Sequence, residues 1–180
     1  MLNLNFNPFP ILETERLILR QLDIADANDL FLVRTHPVVM CYTHMQEHRD
    51  SDETAAFIEA RLTNERTGEG IMWAIALKDT LKLIGTICYW NIQPENNAAE
   101  IGYILHPNHH REGIMNETIG KVIAYGFDTM KLHSIIADLD PENTASIKLL
   151  EKNGFIMEAR FKNEYLEDTT IYKLLNTTAM

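Results

Sequence analysis

Residues 100–107 read Glu100-Ile101-Gly102-Tyr103-Ile104-Leu105-His106-Pro107, and a polar turn then carries the chain to Gly113. Helical spacing follows in Met115, Ile119, Val122, Ile123, Phe127 and Met130. His133-Ser134-Ile135-Ile136-Ala137-Asp138-Leu139 reads as a strand, and residues 143–153 as a short helix with Gly154 at its C′ position. The order is strand, turn, helix, strand, helix. A helix N-terminus offers unpaired N–H groups and the positive end of the helix dipole. The turn before the first helix is therefore a place to hold an anion, and a phosphate-bearing cofactor is the first functional expectation.

Outward from this unit, residues 11–22 carry a short strand around Leu17, Ile18 and Leu19. Asp23 is placed to cap a helix running to about Thr35, and Ser51 or Asp52 to cap a second one that ends at Thr67-Gly68-Glu69-Gly70. Residues 36–50 show little periodicity. The period then changes from helix to strand: 72–77 and 82–90 form a hairpin about Lys78-Asp79-Thr80, and 98–105 is a third strand. Residues 134–139 are almost wholly apolar, as in a strand covered on both faces. Residues 155–161 and 169–175 complete a last hairpin. The expectation is a mixed α/β sheet containing one β-α-β crossover.

A chain of 180 residues is most simply one domain, 1–180, and 46% apolar residues suffice for a core. No apolar run approaches a membrane span, and residues 1–10 show no secretory pattern, so a cytoplasmic location is expected. Cys41 and Cys88 fit reduced thiols. A net charge of −10 argues against a nucleic-acid partner; it suits a cationic one such as an amine, or solubility alone. His106, His109 and His110 have loop-like spacing, so solvated or phosphate-facing histidines are expected rather than a metal site. Gly120-Lys121 is not a P-loop, because Gly113 lies at the wrong spacing and Val122 follows.

Three blocks in order resemble the GNAT acetyltransferases of RimJ/RimL type. They are Thr14-Glu15-Arg16-Leu17-Ile18-Leu19-Arg20, Ala99-Glu100-Ile101-Gly102-Tyr103, and Asn143-Thr144-Ala145-Ser146 followed by Leu150-Glu151-Lys152-Asn153-Gly154-Phe155. The resemblance spans roughly residues 11–175. It implies a three-layer α/β (α+β) fold: a mixed, mostly antiparallel sheet with a splayed parallel pair, flanked by about four helices. It also implies an N-acetyltransferase that moves the acetyl group of acetyl-CoA to a primary amine by direct attack on the thioester. A GNAT-fold sensor that holds acyl-CoA without turnover is the alternative. A homodimer is left open.

The resemblance also suggests site residues. His110, Arg111, Glu112, Gly113, Ile114, Met115 and Asn116 occupy the family's pyrophosphate loop, with Met115 where a tiny residue is usual; an ordinary loop with a turn glycine is the plain alternative. Ile104 and Leu105 lie where the strand parts from its parallel neighbour and backbone groups meet the pantetheine arm. Asn143 would hold that arm, or simply cap its helix. Glu100 stands at the position of a catalytic glutamate, as base, water-positioner or substrate binder; a solvated strand residue is the alternative. Ser146 is the candidate to protonate the leaving thiolate or hydrogen-bond the thioester, because Leu150 stands where many members carry a tyrosine; water in that role, with Ser146 a satisfied polar residue, is the alternative. Trp73, Trp90, Tyr89 and Tyr42 are left between core and acceptor pocket.

Overall fold

The computed structural model describes residues 1–43, 45–162 and 168–177. One eight-stranded sheet runs through the molecule in the order β1-β2-β3-β4-β5-β6-β8-β7. The strands are β1 (Leu12–Glu13), β2 (Leu17–Gln21), β3 (Ile71–Leu77), β4 (Leu83–Gln93), β5 (Ala98–Leu105), β6 (Ser134–Leu139), β7 (Ile156–Lys162) and β8 (Asp168–Leu175). Every neighbouring pair is antiparallel except β5 and β6. The helices are α1 (Ala27–Arg34), α2 (Pro37–Met40), α3 (Ser51–Thr67), α4 (Ile114–Asp128) and α5 (Thr144–Lys152).

Strand alternation sorts the core into two layers. Odd-numbered residues such as Trp73, Ile75, Ile87, Tyr89 and Ile101 pack against Ile114, Ile119 and Val122 of α4 and Leu150 of α5. Ala74 and Ile104 point the other way, onto Leu30 and Val33 of α1 and Ile58 of α3. Two buried polar groups on the first side are satisfied. The Trp73 indole N–H donates to the Pro10 carbonyl at 2.7 Å, and the Tyr89 hydroxyl donates to the Val122 carbonyl at 3.0 Å. Trp73 and Tyr89 are therefore core. A methyl on Gly126 would lie 2.5 Å from the Tyr89 hydroxyl oxygen, so the absence of a side chain there lets α4 approach the sheet.

Local chemistry accounts for the departures from expectation. The cap of α3 is Asp50, one residue before Ser51. Its extended backbone lets the carboxylate reach back and accept from the Glu53 amide at 2.9 Å. Asp23 caps a short 3₁₀ turn, Ile24–Asp26, that leads into α1. Within 36–50 the chain makes the four-residue α2, started by Pro37 and capped by the His36 ring, so among the described residues five α-helices flank the sheet where about four were expected. The remaining ranges agree with the sequence to within a few residues.

The feature that positions the site is the parting of β5 from β6. Their parallel register runs only through Ala98, Ala99 and Glu100, opposite Ser134, Ile135 and Ile136. From Ile101 onward β5 keeps only its antiparallel partner β4, as far as Leu105 opposite Gly85. The bond from the His106 amide to the Ile84 carbonyl, 2.8 Å, sets the phase of that ladder. Backbone groups of Gly102 and Ile104 face β4, and those of Tyr103 and Leu105 face the gap.

Candidate active site

A cleft of about 500 Å³ passes through this gap and opens on both faces of the sheet. On the α1/α3 face it meets Glu100, Gly102 and Ile104. On the α5 face it meets Tyr103, Asn143, Ser146 and Leu150, and Asp138 of β6 lines its flank. Of the residues expected from sequence, Glu100, Ile104, Asn143 and Ser146 are brought together here. Trp90 and Tyr42 also line the cleft.

Glu100 is half-buried and accepts a bond from the Asn91 amide nitrogen at 2.5 Å. Burial raises its pKa, the bond from Asn91 opposes this, and the charge of Asp138 adds to the rise. Asp138 is itself held by the Thr169 hydroxyl. The carboxylate thus holds a proton more readily than an ordinary glutamate.

On the opposite face, the Ser146 hydroxyl lies 2.6 Å from the Tyr103 hydroxyl. Burial pushes Tyr103 up to about 12, so the phenol stays protonated. Asn143 caps α5, its side chain accepting from the Ser146 amide at 3.1 Å, which fixes the start of the helix and with it the serine. Leu150 is fully buried and floors the cleft. The sequence reading passed over Tyr103. The signal was available: strand alternation sets it opposite Glu100, toward the helix that carries Ser146.

The turn from His110 to Asn116 lies outside the cleft wall. It holds two consecutive sites of positive φ, with Arg111 at 63° and Gly113 at 78°. Gly113 caps α4 without a side-chain bond. Among the described residues, the amides of Gly113, Ile114, Met115 and Asn116 donate no hydrogen bond of normal geometry, while Glu117 begins the helical ladder on the Gly113 carbonyl. Four adjacent N–H groups without a partner thus lie at a helix start, exposed at Gly113, the geometry in which helix N-termini can accept an anion. The His110 Nε2 lies 2.9 Å from the Leu105 carbonyl and ties the turn to the end of β5. Met115 packs its side chain on the core. The Asn116 side chain accepts from Asn153 at 3.2 Å, joining α4 to the end of α5.

Arg16 is a second residue to which the sequence reading gave no role. Its Nη1 donates to the Glu112 carbonyl at 3.1 Å and its Nε to Glu117 at 2.9 Å, with Nη2 2.8 Å from the same carboxylate. It braces the turn from behind. Its own amide also donates to Glu117, at 3.2 Å.

Comparisons with known proteins agree with this geometry. The family described as "Acetyltransferase (GNAT) domain" matches residues 16–156. The uncharacterized N-acetyltransferase YoaA of Bacillus subtilis is 36% identical over 172 residues, covering 93% of this chain and 97% of that protein. The ribosomal-protein-serine acetyltransferase of Escherichia coli is 27% identical over 129 residues, covering 69% and 71%. A GNAT-family acetyltransferase of Bacillus anthracis superposes with a TM-score of 0.80 at 26% identity, covering 92% of this chain and 98% of the other. The eight-stranded sheet with its single parting parallel pair is therefore the family fold, and this chain belongs to the GNAT family of acetyl-CoA-dependent N-acetyltransferases.

Proposed function

We propose that the chain acetylates a primary amine by direct attack on the thioester of acetyl-CoA, with the two faces of the sheet dividing the work. The observation that carries this reading is the single cleft between β5 and β6, with Glu100 at one face and the Ser146–Tyr103 pair at the other. The coenzyme diphosphate rests on the amides of Gly113 to Asn116, with Arg111 in the same turn. The pantetheine arm runs along the unpaired edge of β5, where Leu105 has an amide facing the gap, and passes Asn143. The Ile104 amide belongs to the β4 ladder, so Leu105 is the better donor to the developing oxyanion. Ile104 lines the acceptor side with its side chain.

An ammonium has no lone pair, so Glu100 takes a proton from it, directly or through one water. The nitrogen then attacks the thioester carbon and a C–N bond forms; the N–H proton made acidic by the attack leaves to water, and the C–S bond breaks. Ser146 gives its hydroxyl proton to the departing thiolate and regains one from solvent through the Tyr103 hydroxyl, so the net products are the amide, the CoA thiol and the one proton first taken from the ammonium. This supplies from the sheet what a tyrosine at position 150 would supply from the helix. The E. coli relative's name, a ribosomal-protein-serine acetyltransferase, supports a protein as one class of acceptor, and a primary amine of its N-terminus is the group we propose. Residues 36–50 border the acceptor end; the loop 162–168, also expected to shape it, lies largely outside the described residues.

The test is CoA release against a panel of peptides and small amines, with product mass measured in parallel. Release with a 42 Da gain on the amine supports the reading; coenzyme binding without release to any amine replaces it with the sensor.

A further inference from the structure

The acceptor end of the cleft holds two cations that form no ion pair among the described residues. Arg34, at the end of α1, is 92% buried, and its guanidinium carbon sits 4.2 Å from the centre of the Phe57 ring. Arg61 of α3 approaches the same ring at 5.0 Å. Both line the cleft. Among the described residues neither forms an ion pair, and the Nε of each is buried without a hydrogen-bond partner. The bond recorded for Arg34 goes from Nη1 to the Met45 sulfur at 3.5 Å, a weak acceptor. Glu69 also lines the cleft but is exposed and pairs with neither arginine.

A buried charge without a partner is costly, and two like charges sharing one aromatic ring are more so. Burial and the neighbouring Arg61 lower Arg34 to about 10, which leaves it charged at neutral pH. The same arrangement is an oxyanion receptor waiting for its ligand, because guanidinium donors match carboxylate and phosphate oxygens. Glu100 lines the same cleft. The fields of Arg61, Arg34 and Glu100 all reach the half-buried Cys88 thiol, which also lines the cleft. The cleft therefore offers an acid–base carboxylate and a separate pair of cations within reach of one small molecule or chain end.

We infer that the acceptor is an amine that also carries an anionic group, a carboxylate or phosphate, which Arg34 and Arg61 bind while Glu100 receives the ammonium. This rests on the transferase reading and narrows it to a zwitterionic acceptor. The net charge of −10 still favours approach of the cationic end from solution. Selection of the anionic end happens inside.

The test uses the CoA-loaded protein and two matched pairs of ligands. One is the peptide amide Ser-Asp-Ala against Ser-Asn-Ala, and the other is 4-aminobutyrate against 4-aminobutyramide. Binding is measured by calorimetry and turnover by CoA release. In at least one pair the anionic member binds about tenfold or more tightly, the scale of a charge-assisted contact, and the pair that shows it identifies peptide or small molecule as the source. Arg61→Gln and Arg34→Gln bring that ratio toward one, with coenzyme binding retained as the check on folding. If Arg34→Gln does not fold, the half-exposed Arg61 position decides. Equal or weaker binding of the anionic member in both pairs overturns the inference, as does a ratio unchanged in Arg61→Gln. Preferential binding without any CoA release keeps the anion subsite and refutes the transferase reading instead.

Discussion

Glu100→Gln isolates the base from the scaffold. The amide keeps an oxygen where the carboxylate accepts from Asn91, so the contact at 2.5 Å has a neutral replacement and the strand pairing opposite Trp90 is untouched. What is lost is the proton acceptor. At pH 7 only about a tenth of an α-amine with pKa near 8 is neutral, and the base must supply the rest. General-base assistance is worth about 10²–10⁴-fold, so we expect kcat/KM at pH 7 to fall by about a hundredfold. The deficit should shrink toward pH 9, where the amine deprotonates unaided. The sign of the wild-type profile follows from the carboxylate. Burial first, then Asp138, raise its pKa, so it is protonated and inactive below that value. The rising limb begins at higher pH than for an ordinary glutamate. Asp138→Asn removes one raising influence and moves the limb to lower pH. The assay is initial-rate CoA release between pH 6 and 9.5. A constant deficit across that range would refute the base and leave Glu100 a binder of the ammonium.

Ser146→Ala should lower kcat by about a hundredfold, the lower end of general-acid effects because thiolate leaves readily; Tyr103→Phe should cost less, and equal activity of both variants with wild type would remove the pair from the reaction. Gly113→Val places a β-branched residue at φ 78°, where its Cβ meets only Arg16 Nη2 at 3.7 Å, so strain rather than collision reshapes the turn. CoA affinity should weaken by about tenfold, the equivalent of the roughly 1–2 kcal/mol an L-residue pays in that region, with a smaller effect on the urea midpoint. Unchanged affinity would count against the anion cradle. Gly126→Ala drives a methyl to 2.5 Å from the Tyr89 oxygen and 2.9 Å from its ring carbon, and should destabilise by about 1–3 kcal/mol in urea titration; an unaltered midpoint would mean that α4 shifts freely.

Period-2 and period-3.6 patterns made the central elements readable before any coordinates. Strands 98–105 and 134–139 match their observed limits because each is fixed at both ends: β5 lies between the turn at 94–97 and Pro107, and β6 between the turn after α4 and Asp140-Pro141. The α3 cap moved by one residue because Asp50, Ser51 and Asp52 can all cap by type, and only backbone geometry selects among them. Segment 36–50 hid α2 because four residues are too few to show a period.

The site was legible where it lies on regular elements. Glu100, Asn143 and Ser146 were named from the strand and helix blocks that carry them, whereas Tyr103 was given no role although alternation sets it on the face opposite Glu100. The Tyr103–Ser146 contact spans 43 positions in sequence, and Arg16 reaches Glu117 across 101. Pairings of that kind follow from the sheet order, which no local pattern states. The same holds for Arg34 and Arg61, which lie on different helices and meet over a phenylalanine of the second. Net charge suggested a cationic partner, but it averages over the surface and says nothing of the two cations inside.

The central claim is that thioester chemistry takes place in the gap where β5 leaves β6. A crystal structure with bound coenzyme tests it most directly. The account predicts phosphorus positions within hydrogen-bond reach of the Gly113 to Asn116 amides and the sulfur beside Ser146, between the two carboxylate-lined and tyrosine-lined faces. Coenzyme seated on any other part of the sheet, with the gap filled only by solvent, would contradict it.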